Sequence, residues 1–293
     1  MNYGLVEKKE FKSYDGHPIA YFTAGEGFPV VLVNGLGGNW FAWKYFIEHF
    51  RSRFRIITWD YRGLYDTAPP EDLESLRMES QTRDLEILLE VEKIEKAVII
   101  GWSMGVQIVF ELYRRHPEKF AALITVSGVP GQVFTSVFKN RVMRKALPFF
   151  IEFLIHFGDI QRPIIRTAFA AGVAFPFVKY SGFVAPTLPR EIFEKIAGAY
   201  SGLDFKVYYK TMKFMGEHDA CDVMESVNVP SLIIYGGRDT FTPMERAKEM
   251  KARIKGSELF YLEDGSHYVM IEYPELVHER MEKFFQEHKL GTV

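Results

Sequence analysis

The chain has one cysteine, Cys221, in 293 residues, which leaves no disulfide framework and no cysteine-built zinc site. Neither sign of charge is in excess. With 36 Lys and Arg against 38 Asp and Glu, a net charge of −2 gives no reason to expect nucleic acid or an anionic membrane as the main partner. Long apolar runs are missing too: Ala146–Gly158 and Thr167–Val178 are too short to span a bilayer, and the first carries Glu152 and His156. Met1–Gly16 holds Glu7, Lys8, Lys9, Glu10 and Lys12 where a secretory signal would hold an apolar core. There is no internal repeat, coiled coil or low-complexity tract. These absences point to a soluble, cytoplasmic globular protein, long enough for one large domain or a domain with a sizeable insertion.

The pattern along the chain is that of a mostly parallel α/β sheet. Leu5–Tyr14 and Ile19–Thr23 are two expected strands around the hairpin signal Asp15-Gly16. Strands follow at Pro29–Val33, Arg55–Trp59, Ala97–Ile100 and Ala122–Val126, with helices at Trp40–Phe50, Glu79–Val91 and Met104–Arg115. From Pro130 to Val229 the alternation stops, and helix-like stretches such as Arg141–Phe157 and Pro189–Tyr200 take over. It resumes with strands Ser231–Tyr235 and Glu258–Leu262 and helices Pro243–Ala252 and Pro274–His288. Residues 1–129 and 230–293 are therefore expected to form one core, and 130–229 an inserted helical lid.

The most informative stretch is Gly101-Trp102-Ser103-Met104-Gly105, a G-x-S-x-G turn between an apolar run and an amphipathic helix. A serine hydroxyl is a poor nucleophile until it is exposed, oriented and deprotonated by a neighbour. A sharp strand-to-helix turn lifts it above the sheet edge, and flanking glycines remove the Cβ atoms that would clash there. Val106, Val109, Phe110 and Tyr113 put one helical face on the core. Three glycines in Asn34–Gly38, after a buried strand, imply close backbone approach. Late strands end in Gly236-Gly237-Arg238-Asp239 and Glu263-Asp264-Gly265-Ser266-His267.

In that order (Ser, then Asp, then His) the chain resembles the α/β-hydrolase family with a helical cap, over about Leu5–Val126 and Ser231–His288. The resemblance implies the α/β-hydrolase fold, an eight-stranded, mostly parallel sheet with helices on both faces. It makes Ser103 the nucleophile, His267 the general base and Asp239 the residue that orients His267. The physical reasons run alongside. An imidazole titrating near ~6.5 can take and return the serine proton, and a buried carboxylate fixes its tautomer. Asp264 is the rival acid, but it shares a loop with His267, and Ser127–Gly131 offers no carboxylate.

Two backbone donors are needed for the oxyanion. Met104 N–H and Leu36 N–H are the candidates, although the family commonly has His-Gly where this chain has Asn34-Gly35. Trp40, Trp43 and Trp102 are candidate walls of the substrate pocket. Asp60-Tyr61-Arg62-Gly63 resembles a frequent family loop, with Asp60 and Arg62 expected to brace neighbouring loops. Cys221 is expected to be a small buried filler. In the lid, Phe149, Phe150, Phe153, Phe157, Phe169, Phe175, Phe177 and Phe183 either line an apolar pocket or pack the lid on the core, and a lid of that kind can touch lipid transiently without stable insertion.

The expected activity is hydrolysis of carboxylic esters of apolar small molecules through an acyl-enzyme, with no cofactor and no metal. The same triad also serves carbon–carbon bond hydrolases, perhydrolases and acyltransferases, and a hydrolase-fold receptor stays open as a non-enzymatic alternative. Serine at the elbow argues against the haloalkane dehalogenase and epoxide hydrolase branches, which carry aspartate there.

Overall fold

The computed structural model describes residues 4–134, 141–158, 163–164, 167, 194–195, 198–200 and 202–291, with the backbone alone for 141–145. Phe169, Phe175, Phe177 and Phe183, and most of the expected helix Pro189–Tyr200, lie outside the described residues.

β1 (Glu7–Lys12) and β2 (Pro18–Ala24) form the expected antiparallel hairpin, with Glu10 opposite Ala20 and Gly16 at φ +81° in the turn. β3 (Phe28–Val33), β4 (Phe54–Trp59), β5 (Ala97–Trp102), β6 (Phe120–Val126), β7 (Ser231–Gly236) and β8 (Glu258–Leu262) complete one eight-stranded sheet in the order β1-β2-β4-β3-β5-β6-β7-β8. Only β2 runs against the rest; every pairing from β4 to β8 is parallel.

Every residue of β5 and β7 is buried, which is why these strands show no polar alternation. Their side chains still alternate between two cores. Val31, Val33, Ile57, Ile99 and Ile233 face one side, where α2 (Met78–Val91), α3 (Gly105–Arg115) and α6 (Met244–Arg253) pack. Val30, Leu32, Ile56, Val98 and Ile234 face the other, against α1 (Lys44–Phe50) and α8 (Pro274–Glu287).

Two local details depart from expectation. Trp40–Trp43 is a 3₁₀ turn, begun by Asn39 Oδ1 accepting from Phe41 N (3.1 Å), and α1 follows it. α3 is buried on all sides rather than on one face. Its polar residues are covered by the inserted segment: Gln107 Nε2 donates to the Met215 carbonyl (2.9 Å), and Glu111 lies beside Arg115 and His218. Asp60 and Arg62 brace neighbouring segments as expected, each through its own partners. Arg62 is fully buried, forked onto Asp84 (2.7 and 2.6 Å) and paired with Asp15 of the hairpin turn (2.5 Å), while Asp60 accepts from Asp66 N (3.1 Å). The guanidinium thus ties the hairpin to α2.

The chain between β6 and β7 leaves and returns at one place. Gly131 bridges Asp219, Ala220 N donates to Pro130 O (3.1 Å), and Gln132 Nε2 donates to Asp219 Oδ2 (2.8 Å). Its described helices are α4 (Arg141–His156) and α5 (Phe205–Glu217), which lie against each other. Phe149, Phe150 and Phe153 on α4 are 79, 56 and 55% exposed, so these three do not pack the lid on the core. Cys221 is buried beside an Arg246 N–H (3.4 Å), and burial pushes its thiol up to about 12, which fits a filler rather than a nucleophile. Among the described residues no helix is long and apolar enough to cross a membrane. None groups three His, Cys, Asp or Glu side chains in a way that could hold a metal ion.

Candidate active site

The end of β5 shows why the turn needs its glycines. Ser103 sits at φ +53°, a left-handed conformation costly for a residue with a Cβ. It is held there by Ser103 N donating to Val126 O (3.0 Å) and Val106 N donating to Ser103 O (3.0 Å). A Cβ on Gly105 would come within 2.3 Å of the Val33 carbonyl oxygen, and one on Gly128 within 2.5 Å of the Ser103 carbonyl oxygen. Both approaches are closed to any larger residue.

The loops after β7 and β8 bring two more side chains to that point. His267 Nε2 is 2.8 Å from Ser103 Oγ, and His267 Nδ1 is 2.9 Å from Asp239 Oδ2. The Asp239 side chain is wholly buried, and its second oxygen accepts from the Phe241 and Thr242 amides at 2.8 and 2.9 Å. A carboxylate surrounded by donors is an acceptor only, so Nδ1 carries the imidazole proton and Nε2 is left to accept from the serine hydroxyl. The rival acid faces elsewhere: Asp264 pairs with Arg238 (2.5 Å), and both side chains are more than half exposed.

The His267 loop is fastened by groups with no sequence signature. Glu272, in the short helix α7 (Val269–Glu272), accepts from Ser266 N (2.7 Å) and Ser266 Oγ (2.5 Å), and Tyr268 N donates to Ser266 Oγ (3.2 Å). The two neighbours of His267 are therefore locked by one buried carboxylate. Arg238 N donates to Gly265 O (2.8 Å), tying the β7 loop to the β8 loop. A Glu five residues after a His looks like an ordinary helix residue until the fold turns it back.

Leu36 and Met104 both line the cavity beside Ser103, and neither amide has a hydrogen-bond acceptor among the described residues. Gly38 N donates to Gly35 O (2.9 Å), which fixes the peptide plane whose far side carries the Leu36 N–H. Asn34 fills the histidine position with a different network. Its Nδ2 donates to Trp59 O (2.8 Å) and Thr58 Oγ1 (3.2 Å), and its Oδ1 accepts from Trp43 Nε1 (2.8 Å). An amide with both ends satisfied braces the loop as an imidazole would.

That bond also decides the tryptophans. Trp43 is buried with its edge toward Trp102 (6.5 Å between rings) and stands outside the cavity lining; Trp40 lines a separate cavity of about 610 Å³ with Phe41 and Lys44. Only Trp102 of the three expected walls borders the space beside Ser103, a cavity of about 150 Å³. Tyr208, Met212 and Met215 of α5 and Phe241 and Tyr268 of the core border it as well, unsignalled in the sequence because their partners are far along the chain.

The comparisons agree with this architecture. Residues 29–159 match the family described as alpha/beta hydrolase fold, and residues 211–292 match one described as TAP-like protein. Epoxide hydrolase 4 of Homo sapiens is 23% identical over 282 residues, covering 91% of this chain and 75% of that protein. A pimeloyl-[acyl-carrier protein] methyl ester esterase from Hamiltonella defensa is 26% identical over 272 residues, covering 91% and 96%. Two solved structures superpose at TM-score 0.79: a bromoperoxidase from Bacillus anthracis (21% identity, 96% of this chain and 100% of that one) and the esterase EaEST from Exiguobacterium antarcticum (20%, with the same coverage). The chain has the α/β-hydrolase fold, and residues 29–159 match the model of that family.

Proposed function

We propose that this protein is a cofactor-free serine hydrolase that cleaves carboxylic esters of small apolar molecules, with residues 130–229 as its cap. The observation that carries the reading is the continuous hydrogen-bonded line from Asp239 through His267 to Ser103. His267 Nε2 takes the Ser103 proton as Oγ bonds to the ester carbonyl carbon. Asp239 keeps the Nδ1 proton in place and stabilises the imidazolium that forms. The Leu36 and Met104 amides donate to the oxyanion. As the carbon–oxygen bond to the alcohol breaks, His267 returns its proton to the departing oxygen. Water, deprotonated by the same nitrogen, then attacks the acyl-enzyme, releases the acid and restores the serine hydroxyl.

The chemistry of the elbow residue favours esters over epoxides. A serine oxygen that opened an epoxide would form an ether, which has no carbonyl for water to attack, and the enzyme would stop after one turnover. An acylated serine has that carbonyl.

A fluorophosphonate probe is expected to label the native protein, and Ser103→Ala to abolish labelling. Labelling that survives the substitution removes Ser103 as nucleophile. Turnover of short p-nitrophenyl esters separates an enzyme from a ligand-binding relative of the fold.

A further inference from the structure

Three residues of α5, Tyr208, Met212 and Met215, border the cavity beside Ser103. Their spacing of four and three residues places them on one helical face, while Val207, Thr211 and Phe214 are buried toward the core. The helix is fixed at both ends. Asp204 caps its start, with Oδ1 accepting from Lys206 N (2.9 Å) and Val207 N (3.1 Å). Near its end the Met215 carbonyl accepts from Gln107 Nε2 (2.9 Å), and Gln107 belongs to α3, the helix that begins two residues after the Ser103 position. The methionine wall is therefore tied to the helix that carries the nucleophile. Opposite it stand Val129 and Val133, on the chain leaving β6.

Resting on the serine esterase reading, we infer that Met212 and Met215 set the substrate class: esters whose acyl group is uncharged, apolar and no larger than about six carbons. The size comes from the cavity. At about 150 Å³ it matches an apolar cavity that accepts one benzene ring, so a hexanoyl or benzoyl group fills it. A longer chain has to run out of the cavity into water or displace the side chains that border it. The charge preference comes from the lining, which among the described residues includes no Lys, Arg, Asp or Glu. A carboxylate at the far end of the acyl chain would be stripped of water there with no partner. Methionine suits a wall of this kind, since its unbranched side chain adapts to acyl groups of differing shape up to the limit.

The test holds the leaving group constant and varies the acyl group. Rates with p-nitrophenyl acetate, butyrate, hexanoate, octanoate and decanoate are measured beside the mono-succinate, on the wild type and on Met212→Ala, Met215→Ala and Met215→Leu. In the wild type, kcat/KM is expected to peak at or before hexanoate and to fall at least about tenfold by octanoate, with the mono-succinate similarly poor against butyrate. Either alanine variant moves the peak to octanoate or beyond, and Met215→Leu, close in volume, keeps the wild-type limit. A wild-type profile that is flat or rising to decanoate overturns the inference, as does a limit that stays put in whichever alanine variants fold. A succinate ester turned over as well as butyrate overturns the charge preference. If the probe labels Ser103 and the profile is flat, the size inference fails alone; if it fails to label Ser103, the esterase reading goes with it.

Discussion

The indole N–H of Trp102 donates to the backbone carbonyl of His267 across 3.1 Å, joining the residue before Ser103 to the residue whose Nε2 meets the Ser103 hydroxyl. The two lie on the tip of β5 and in the loop after β8, three strands further across the sheet. The bond sets the height of the imidazole above Ser103 independently of the Asp239 contact. Trp102→Phe keeps an aromatic ring in the same buried place and removes the donor together with the second ring of the indole. The expected outcome is a fall in kcat of about tenfold, the worth of one neutral hydrogen bond, with an equal fall in kcat/KM. Steady-state kinetics checks it; a rise in KM with kcat unchanged would reduce Trp102 to a pocket wall.

The second prediction separates the two acids. Asp239→Asn leaves an amide beside Nδ1 that can hold the wrong tautomer, and kcat is expected to drop by about 10⁴. Asp264→Asn breaks only an exposed ion pair with Arg238, and activity is expected to stay within about twofold of wild type. Rates for the two variants side by side decide it, and the reverse pattern would reassign the acid.

The third concerns stability and acid. His278 on α8 packs among the rings of Phe46, Phe50 and His49. Burial first, then the neighbouring His49, holds it down at about 4 against an ordinary 6.5, with Glu282 pulling the other way. Above pH 6.5 both folded and unfolded chains carry it neutral, and its packing counts in full. Between 6.5 and about 4 the unfolded chain binds a proton that the folded chain refuses, so stability falls toward acid by up to about 3 kcal/mol. His278→Phe is expected to flatten that part of the profile. Urea unfolding of both proteins at pH 7 and pH 4.5 measures it, and equal losses in the two would contradict the assignment.

Much of this molecule was legible in its sequence because the signals were local. β-branched runs such as Val98–Ile100 mark strands buried on both faces, and Asp15-Gly16 marks a hairpin, each within a few residues. Ser103, Asp239 and His267 announced themselves by sitting just past strand ends. What stayed hidden depends on partners distant in the chain. Arg62 was expected to brace neighbouring loops and does so, but its partners, Asp84 and Asp15, are brought to it only by the packed α2 and hairpin. Trp43 looked like a pocket wall because it follows the glycine loop; its N–H is instead spent on Asn34, behind Trp102. Glu272 and the methionine face of α5 gain their roles only when a short helix and an inserted segment return to the site.

In the proposed reaction Ser103 carries the acyl group during turnover. Quenching the protein in acid during reaction with p-nitrophenyl butyrate, then mapping the modified peptide by mass spectrometry, tests it directly. A butyryl group is expected on Ser103, absent in Ser103→Ala. Turnover with Ser103 unmodified, or the acyl group found on Cys221, would contradict it.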